Sequence, residues 1–152
     1  EHRPRRGNFV IAISEEDIRD ISLMRDTLEA LGAKLAAERI DSEGKTRLSE
    51  VVDEMREASI GNQRQRLLEL DLRFHRTVIE IANSRLLREM YKRLEGPALL
   101  FLRMADAFYQ EPQAIVDLHE PLLHAICSGD STRAHELAQR HTDPDAGWLL
   151  GH

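Results

Sequence analysis

Hydrophobic residues recur along most of this chain at the three- and four-residue intervals that place them on one face of a helix. Glycine, proline, asparagine and serine positions interrupt the pattern, as is typical of helix ends and turns. The predicted helix starts lie at Ser14, Asp41, Ser84, Pro112 and Asp130, and a further helix follows the break at Gly61-Asn62. Gly96-Pro97 is expected to kink or break the fourth helix. The chain is therefore predicted to be all-α, an antiparallel bundle of six or seven helices.

The beginning of the chain does not follow this helical pattern. Arg3, Arg5 and Arg6 form a basic turn, which a glycine separates from a β-branched run. Such a segment is typical of a short strand or an extended linker. We therefore divide the chain into residues 1–13, the expected end of a preceding domain, and a helical domain at residues 14–152.

The composition agrees with a helical protein that has a real core. The chain has 152 residues, of which 41% are hydrophobic and 32% are charged. Its net charge of −6 argues against nucleic-acid binding by the chain as a whole, because such binding requires a basic surface. The one cysteine, Cys127, cannot form an internal disulfide. No apolar run reaches the length of a membrane span and no signal-peptide pattern opens the chain, so we expect a cytoplasmic protein.

Asp71 and His75 stand four residues apart in an otherwise apolar helical stretch. At this spacing the carboxylate and the imidazole project from one face of the helix. Two such groups can chelate a divalent ion. A solvent-facing ion pair has the same spacing, so the pair alone leaves both interpretations open.

The last two predicted helices carry four histidines, which helix geometry separates into two groups. An antiparallel hairpin around residues 128–130 places His119 and His141 at the same height, about 15 Å from the turn. Both align with the apolar positions of their helices, whereas His135 aligns with polar positions and His124 is ambiguous. We predict that His119 and His141 point inward, where they either form hydrogen bonds in the core or complete a metal site with the pair on the third helix.

Four stretches of the sequence, RRGNFV, LMRDTLEALGAKLAAERI, LDLRFHRTVIEIANSRLL and HEPLLHAICSGDSTRAHELAQRH, resemble the effector-binding domain of GntR-family transcriptional regulators. The resemblance is to the FadR-like subfamily, covers nearly the whole chain, and concerns the domain often called FCD. The D-x-x-x-H motif of this family matches Asp71 and His75, its R-x-x-L-E motif begins at Arg25, and its paired histidines are His119 and His141. The opening RRGNFV looks like the last wing strand of the winged helix-turn-helix domain that precedes the FCD domain in these regulators.

The resemblance implies a metal-containing ligand sensor. Metal-binding members of the family hold their ion with one aspartate and three histidines, which here are Asp71, His75, His119 and His141. Three imidazoles and one carboxylate suit zinc, with nickel or manganese as alternatives. The open positions of such an ion are expected to take a small carboxylate effector.

A carboxylate effector also requires cationic or polar groups around it. Arg25 and Arg103 are candidates, since both fall in apolar helical stretches and a guanidinium matches a carboxylate. Each also has a plainer interpretation, Arg25 as the i+4 partner of Glu29 and Arg103 as a surface residue. Asn83 is a third candidate, with a helix cap as its plainer role.

The resemblance further implies a homodimer, and DNA binding through a winged-helix domain of which residues 1–13 are the expected remnant. Effector binding is then expected to control the spacing of two attached DNA-binding domains. Two other functions remain open, an all-α metalloenzyme that uses the same metal site and a metal-free helical interaction module. We expect no enzymatic activity, because the sequence has no HExxH, no paired Glu-x-x-His motifs and no further well-placed general base.

Overall fold

The computed structural model describes residues 14–105 and 111–139, without the side chains of Glu15, Ile18 and residues 98–105. These residues form six helices, α1 (Glu15–Arg39), α2 (Ser42–Ile60), α3 (Arg64–Ile81), α4 (Arg85–Ala105), α5 (Pro112–Ser128) and α6 (Ser131–Gln139). The all-α prediction is therefore confirmed. The extended segment predicted for residues 1–13 lies outside the described residues. None of the helices in the described part of the chain is both long and apolar enough to cross a membrane.

The helix starts follow local capping chemistry. The side chains of Ser14, Asp41 and Asp130 each accept a hydrogen bond from the backbone N–H three residues later, at 3.1, 2.8 and 3.0 Å. These bonds satisfy N–H groups that have no partner inside the helix. The three predicted N-caps are thus confirmed, because capping depends on neighbours in sequence and not on the tertiary fold.

The predicted interruption at Gly96-Pro97 does not end the fourth helix, because α4 continues from Arg85 to Ala105 and includes Pro97. Proline removes one backbone hydrogen bond and crowds the preceding turn. Leu87, Tyr91 and Leu94, on the same helix, are buried in the core. Their packing stabilises the helix against this local penalty, as tertiary contacts often do.

The third helix lies at the centre of the bundle and packs against α1, α2, α4 and α5. Its apolar stripe is buried as the sequence pattern predicts, with Leu67, Leu70, Phe74 and Val78 almost completely inaccessible. The first helix approaches it closely, since a Cβ atom added to Gly32 would lie 2.5 Å from Cδ1 of Ile79. Small buried residues on α1 (Ala30, Ala33, Ala36 and Ala37) likewise allow neighbouring helices to come near. The long first helix is thereby held against the helix that carries Asp71 and His75.

The turn between α5 and α6 requires a left-handed residue, since Gly129 has φ 80° and caps the C-terminus of α5. We predict that Gly129→Ala lowers the free energy of unfolding by about 1 kcal/mol, because a Cβ atom is disfavoured in this conformation. Gly129→Asn is the matched control and should cost less, since asparagine tolerates the left-handed region. Urea unfolding of both variants measures the difference, and equal loss for alanine and asparagine would contradict the backbone explanation.

Candidate metal centre

Asp71 and His75 on α3 and His119 on α5 meet inside the bundle. Their exposed fractions are only 7%, 1% and 1%. One ligand atom from each residue lies within 4.8 Å of the other two, a spacing that a single ion can bridge. The alternative interpretation of Asp71 and His75, a solvent-facing ion pair, is therefore excluded. His119 points inward, as its alignment with the apolar positions of its helix predicts.

The three side chains converge on one carboxylate oxygen. Oδ1 of Asp71 lies 3.3 Å from Nε2 of His119 and 3.9 Å from Nε2 of His75. The other oxygen, Oδ2, lies 3.5 Å from Nη2 of Arg25. The guanidinium thus orients the carboxylate so that Oδ1 faces both imidazoles.

The second nitrogen of each imidazole lies beside an oxygen acceptor. Nδ1 of His119 is 2.7 Å from the carbonyl oxygen of Ile115, which can only accept a hydrogen bond, so this nitrogen carries a proton. Nδ1 of His75 lies 3.2 Å from Oε2 of Glu29, a contact that favours a proton on that nitrogen too. Carbonyl and carboxylate groups commonly hold metal-binding histidines in this way and leave the other nitrogen as the ligand atom.

Phe74 fixes the orientation of the two rings. Its ring packs edge-on against His119, with centroids 4.9 Å apart, and against His75, with centroids 5.5 Å apart. Edge-to-face contacts of this kind are favourable and directional. The apolar stripe of α3 therefore positions the ligands as well as packing the core.

A buried ion network surrounds the triad. Arg25 is fully inaccessible, and its Nε donates to Oε1 of Glu29 at 3.0 Å. The hydroxyl of Tyr91, on α4, donates to the same oxygen at 2.8 Å. Glu29 therefore joins Arg25, Tyr91 and His75, which come from three different helices. Nη1 of Arg25 is also buried, and it makes no hydrogen bond within the described residues.

The electrostatics keep Asp71 and His75 in the forms that bind metals. Burial raises the pKa of Asp71, but the hydrogen bond from His119 and the influence of His75 and Arg25 outweigh it, so this pKa lies well below its ordinary value. Burial lowers the pKa of His75 well below its ordinary value, and the attraction of Asp71 does not compensate. At pH 7 Asp71 is thus a carboxylate and His75 a neutral imidazole, which are the protonation states that ligate a metal.

The arrangement offers ligand atoms to a divalent ion. Nε2 of His119 and Nε2 of His75 both face Oδ1 of Asp71. Two imidazoles and one carboxylate form a donor set that suits zinc or a similar ion.

The other predicted site residues have different positions. His141 lies outside the described residues, as does the side chain of Arg103. Asn83 is exposed, has φ 45° and follows the end of α3, which is its plainer predicted role as a helix-end residue. Asn83 and Arg39 both line a surface cavity of about 280 Å³. Arg39 lies fourteen residues after Arg25 on α1, which is about 21 Å along the helix, so this cavity is far from the triad. This placement does not support Asn83 as an effector contact at the triad.

Two residues of the network were not predicted from the sequence. Glu29 was expected only as a local partner of Arg25; that contact exists, and Glu29 also contacts His75 on another helix. Tyr91 was assigned only to the apolar pattern of its helix. A buried hydroxyl needs a hydrogen-bond partner, so a tyrosine within an apolar stripe is a usable signal for a buried acceptor.

The match to known proteins agrees with this geometry. Residues 20–143 match the FCD domain family, so most of the chain is covered and the chain belongs to that family. The predicted resemblance is thereby confirmed at the level of the FCD domain.

The relatives are regulators of transcription. The "HTH-type transcriptional repressor RspR" of Escherichia coli strain K12 is 24% identical over 139 residues, which are 91% of this chain and 61% of that protein. Two solved structures share the fold. "Streptococcus agalactiae GntR" has a TM-score of 0.72 and 20% sequence identity, and the match covers 86% of this chain and 59% of that one. "E. coli McbR/YncC" has a TM-score of 0.75 and 19% sequence identity, and the match covers 90% of this chain and 66% of that one. The chain thus spans about three fifths of the length of these relatives.

Tyr91 provides a test of the buried network that does not depend on any ligand. We predict that Tyr91→Phe lowers the free energy of unfolding by about 2 kcal/mol at neutral pH, because it removes a buried donor to a carboxylate. Burial and Glu29 raise the pKa of Tyr91 well above its ordinary value. The phenol therefore stabilises the fold fully below the pKa of an unfolded tyrosine, about 10, and less as the pH rises beyond it.

Urea unfolding from neutral pH to about one pH unit above the tyrosine reference pKa of about 10 measures both effects. The wild type should lose stability above pH 10 more steeply than Tyr91→Phe, with about 10 as the tyrosine reference value. Parallel curves for the two proteins would show that Tyr91 is not the buried donor.

Proposed function

We propose that this chain is the effector-sensing domain of a GntR-type regulator of the FadR-like subfamily, with a divalent metal ion held by Asp71, His75, His119 and His141. The observation that carries the proposal is that two Nε2 atoms face one carboxylate oxygen. Nδ1 of His119 bonds to a backbone carbonyl oxygen, and Nδ1 of His75 lies 3.2 Å from Oε2 of Glu29. Zinc is the proposed ion, with nickel or manganese as alternatives, since imidazole and carboxylate ligands suit all three. His141 enters this set by its match to the family motif, as the fourth ligand.

The proposed effector is a small carboxylic acid. With neutral imidazoles the buried cluster contains one guanidinium, Arg25, and two carboxylates, Glu29 and Asp71, which leaves one excess negative charge. A divalent ion turns this into one excess positive charge, and a single carboxylate neutralises it. Buried charge that is not balanced is costly, so the metal-loaded site favours an anion of single charge.

Arg25 has the geometry to bind that anion. Its Nε and Nη2 are turned towards Glu29 and Asp71, whereas Nη1 makes no hydrogen bond within the part of the chain described. An inaccessible guanidinium N–H without an acceptor costs stability, and a carboxylate oxygen supplies the missing acceptor. When bound, the metal ion supplies positions for a carboxylate oxygen, and Arg25 orients that carboxylate.

Glu29 acts as a positioning residue in this proposal. Its Oε1 accepts from Arg25 and Tyr91, and its Oε2 faces Nδ1 of His75. A fully buried carboxylate beside a guanidinium, with two hydrogen bonds to one oxygen and an imidazole against the other, is poorly placed to take a proton from a substrate. This favours ligand sensing over the metalloenzyme alternative. Glu120, beside His119, is likewise turned away, since it pairs with Arg56 at 2.6 Å.

The proposed output is a change in DNA binding. Relatives named as HTH-type regulators are longer than this chain, and the winged helix-turn-helix domain proposed to precede residue 14 would contact DNA. A homodimer is proposed because operators for such domains have two half-sites. Effector binding would then shift the population of dimer arrangements and so the spacing of the two DNA-binding domains.

The metal site can be tested by melting and metal analysis. The wild type, freed of metal with a chelator, is expected to melt about 5 °C higher or more with saturating zinc or nickel, because a ligand that binds only the folded state stabilises it. Asp71→Asn and His75→Gln should lose this response and purify with less metal. His124→Ala is the matched control, since His124 is exposed, and it should respond like the wild type. The site does not bind metal if wild type and ligand variants carry equally little and melt alike.

The carboxylate site can be tested with metal-loaded protein and titration calorimetry. Acetate, propionate and lactate are suitable probes, and Arg25→Lys should bind them about tenfold more weakly, because lysine keeps the charge but lacks the planar pair of donors. Arg85→Lys is the control, since Arg85 is exposed and pairs only with Glu89 among the described residues. Equal affinities for wild type and Arg25→Lys would remove Arg25 from the effector site.

A further inference from the structure

The first helix has two faces of different chemistry. Its buried polar face contains Ser22, Arg25 and Glu29, and Oγ of Ser22 makes no hydrogen bond within the described residues. The opposite face carries Leu23 and Leu31, which are 58% and 43% exposed. Large apolar side chains normally lie on the buried side of a helix, so this exposed face needs an explanation.

The exposed apolar residues are concentrated on α1 and its neighbour α4. Seven large apolar side chains are exposed in the described part of the chain, and five of them lie on these two helices: Leu23, Met24, Leu31, Leu86 and Met90. The two helices pack against each other, and Glu95 of α4 pairs with Arg76 of α3. Leu86 and Met90 lie on the side of α4 turned away from Glu95, which is the side that borders α1. A continuous apolar surface of this kind marks an interaction site.

One stripe of α1 combines apolar residues with a charge at each end. This α1 stripe runs from Asp20 through Leu23, Thr27 and Leu31 to Lys34, and all five residues are exposed. They lie within about 80° of one another around the helix. Their intervals are three, four, four and three residues, so the spacing reads the same in both directions from Thr27.

A symmetric stripe of this kind is complementary to a second copy of itself in the antiparallel direction. A two-fold axis at Thr27 places Leu23 against Leu31 of the partner subunit, and it places Asp20 against Lys34 of the partner subunit. Neither Asp20 nor Lys34 has an ion-pair partner within the residues that the structure describes. Two-fold symmetry repeats each contact, so opposite charges meet at both ends of the stripe. A parallel pair would instead bring like charges together.

The centre of the α1 stripe can be covered without leaving a polar group unpaired. Oγ1 of Thr27 donates to the carbonyl oxygen of Leu23 at 2.8 Å, inside its own helix. This hydrogen bond remains when another surface covers the residue, so burial of Thr27 carries no penalty for a lost bond to water. The middle of the stripe is therefore as compatible with an interface as the leucines on either side.

We propose that α1 pairs with α1 of a second copy of this chain in antiparallel orientation, about a two-fold axis at Thr27, with Leu86 and Met90 of α4 flanking the contact. The inference rests on the homodimer of the proposed function, to which it adds the surface and the register. It does not depend on the metal or on the effector. Arg25 and Glu29 project from the opposite face of the same helix, so each buried ion network stands directly behind the interface.

Reversal of the terminal charges tests the register. Sedimentation equilibrium of the full chain measures the dissociation constant of the dimer, and Asp20→Lys or Lys34→Asp alone should raise it about tenfold, because each places like charges together at both ends. The double variant Asp20→Lys/Lys34→Asp restores opposite charges and should return to within about threefold of the wild type. A double variant that dissociates as readily as the single variants would show that the antiparallel register is wrong.

A cysteine at the axis gives an independent measurement. A residue on a two-fold axis meets its own copy, so Thr27→Cys should link two subunits on mild oxidation or with a short bis-maleimide. Thr46→Cys is the matched control, because Thr46 is exposed on α2 and also donates to the carbonyl four residues earlier, that of Ser42 at 3.1 Å. It should stay unlinked, as should the wild type with its half-buried Cys127. Equal linking of the two variants would contradict an axis at Thr27.

The apolar part of the interface is tested with a buried charge. Leu31→Glu should weaken the dimer about a hundredfold, because it places a carboxylate in the apolar contact at two symmetric positions. Ile60→Glu is the control, since Ile60 is exposed on α2, outside this face, and it should leave the dissociation constant unchanged.

The remaining outcomes distinguish this inference from the proposed function. If the wild type is monomeric at the highest concentration measured, the pairing of α1 is wrong, and so is the homodimer for the residues tested. If the chain dimerises and Leu31→Glu dissociates no more readily than Ile60→Glu, another surface forms the dimer and only this inference is wrong. Metal and carboxylate binding are measured on residues of the opposite face, so their tests stand in either case.

Discussion

The buried ion network around Arg25 is the interaction on which the rest of the site depends. One guanidinium and two carboxylates have left water, and the cost is offset only while Glu29 and Asp71 stay within contact distance of Arg25. This requirement fixes α1 against α3, and the hydroxyl of Tyr91 adds α4. A shift of any of these helices leaves a buried charge without its partner. The network therefore sets the relative positions of the helices more strictly than apolar packing alone.

The same network connects the two halves of the proposed ligand site. Glu29 contacts His75 through one oxygen and Arg25 through the other, and Asp71 faces the imidazoles with one oxygen and Arg25 with the other. An anion that draws on Arg25 changes the electrostatic environment of both carboxylates, and so of the metal ligands. In the proposed function, metal and effector would be coupled by these direct contacts, and the coupling would need no separate pathway.

The polar face of α1 also shows a compromise between stability and function. Alanine at Ser22 would leave no unpaired hydroxyl, and the alanines further along α1 show that the helix accepts small apolar residues in its interface. Buried groups that cost stability without a structural return are concentrated at functional sites. The half of α1 that contains Ser22 and Arg25 carries the buried polar groups of this helix, and the half beyond Glu29 packs through small apolar residues.

The sequence by itself determined the all-α fold, the N-caps at Ser14, Asp41 and Asp130, and the inward phase of His119, because these depend on spacing and on neighbours along the chain. It also brought Asp71 and His75 onto one face. Only the tertiary structure decided that Glu29 reaches His75, that Tyr91 and Ser22 belong to the polar face, and that Asn83 lies elsewhere. A pair such as Arg25 and Glu29 has the same spacing on a surface as in a core. Its burial and its contacts with other helices are set by how the helices pack, which no local pattern encodes.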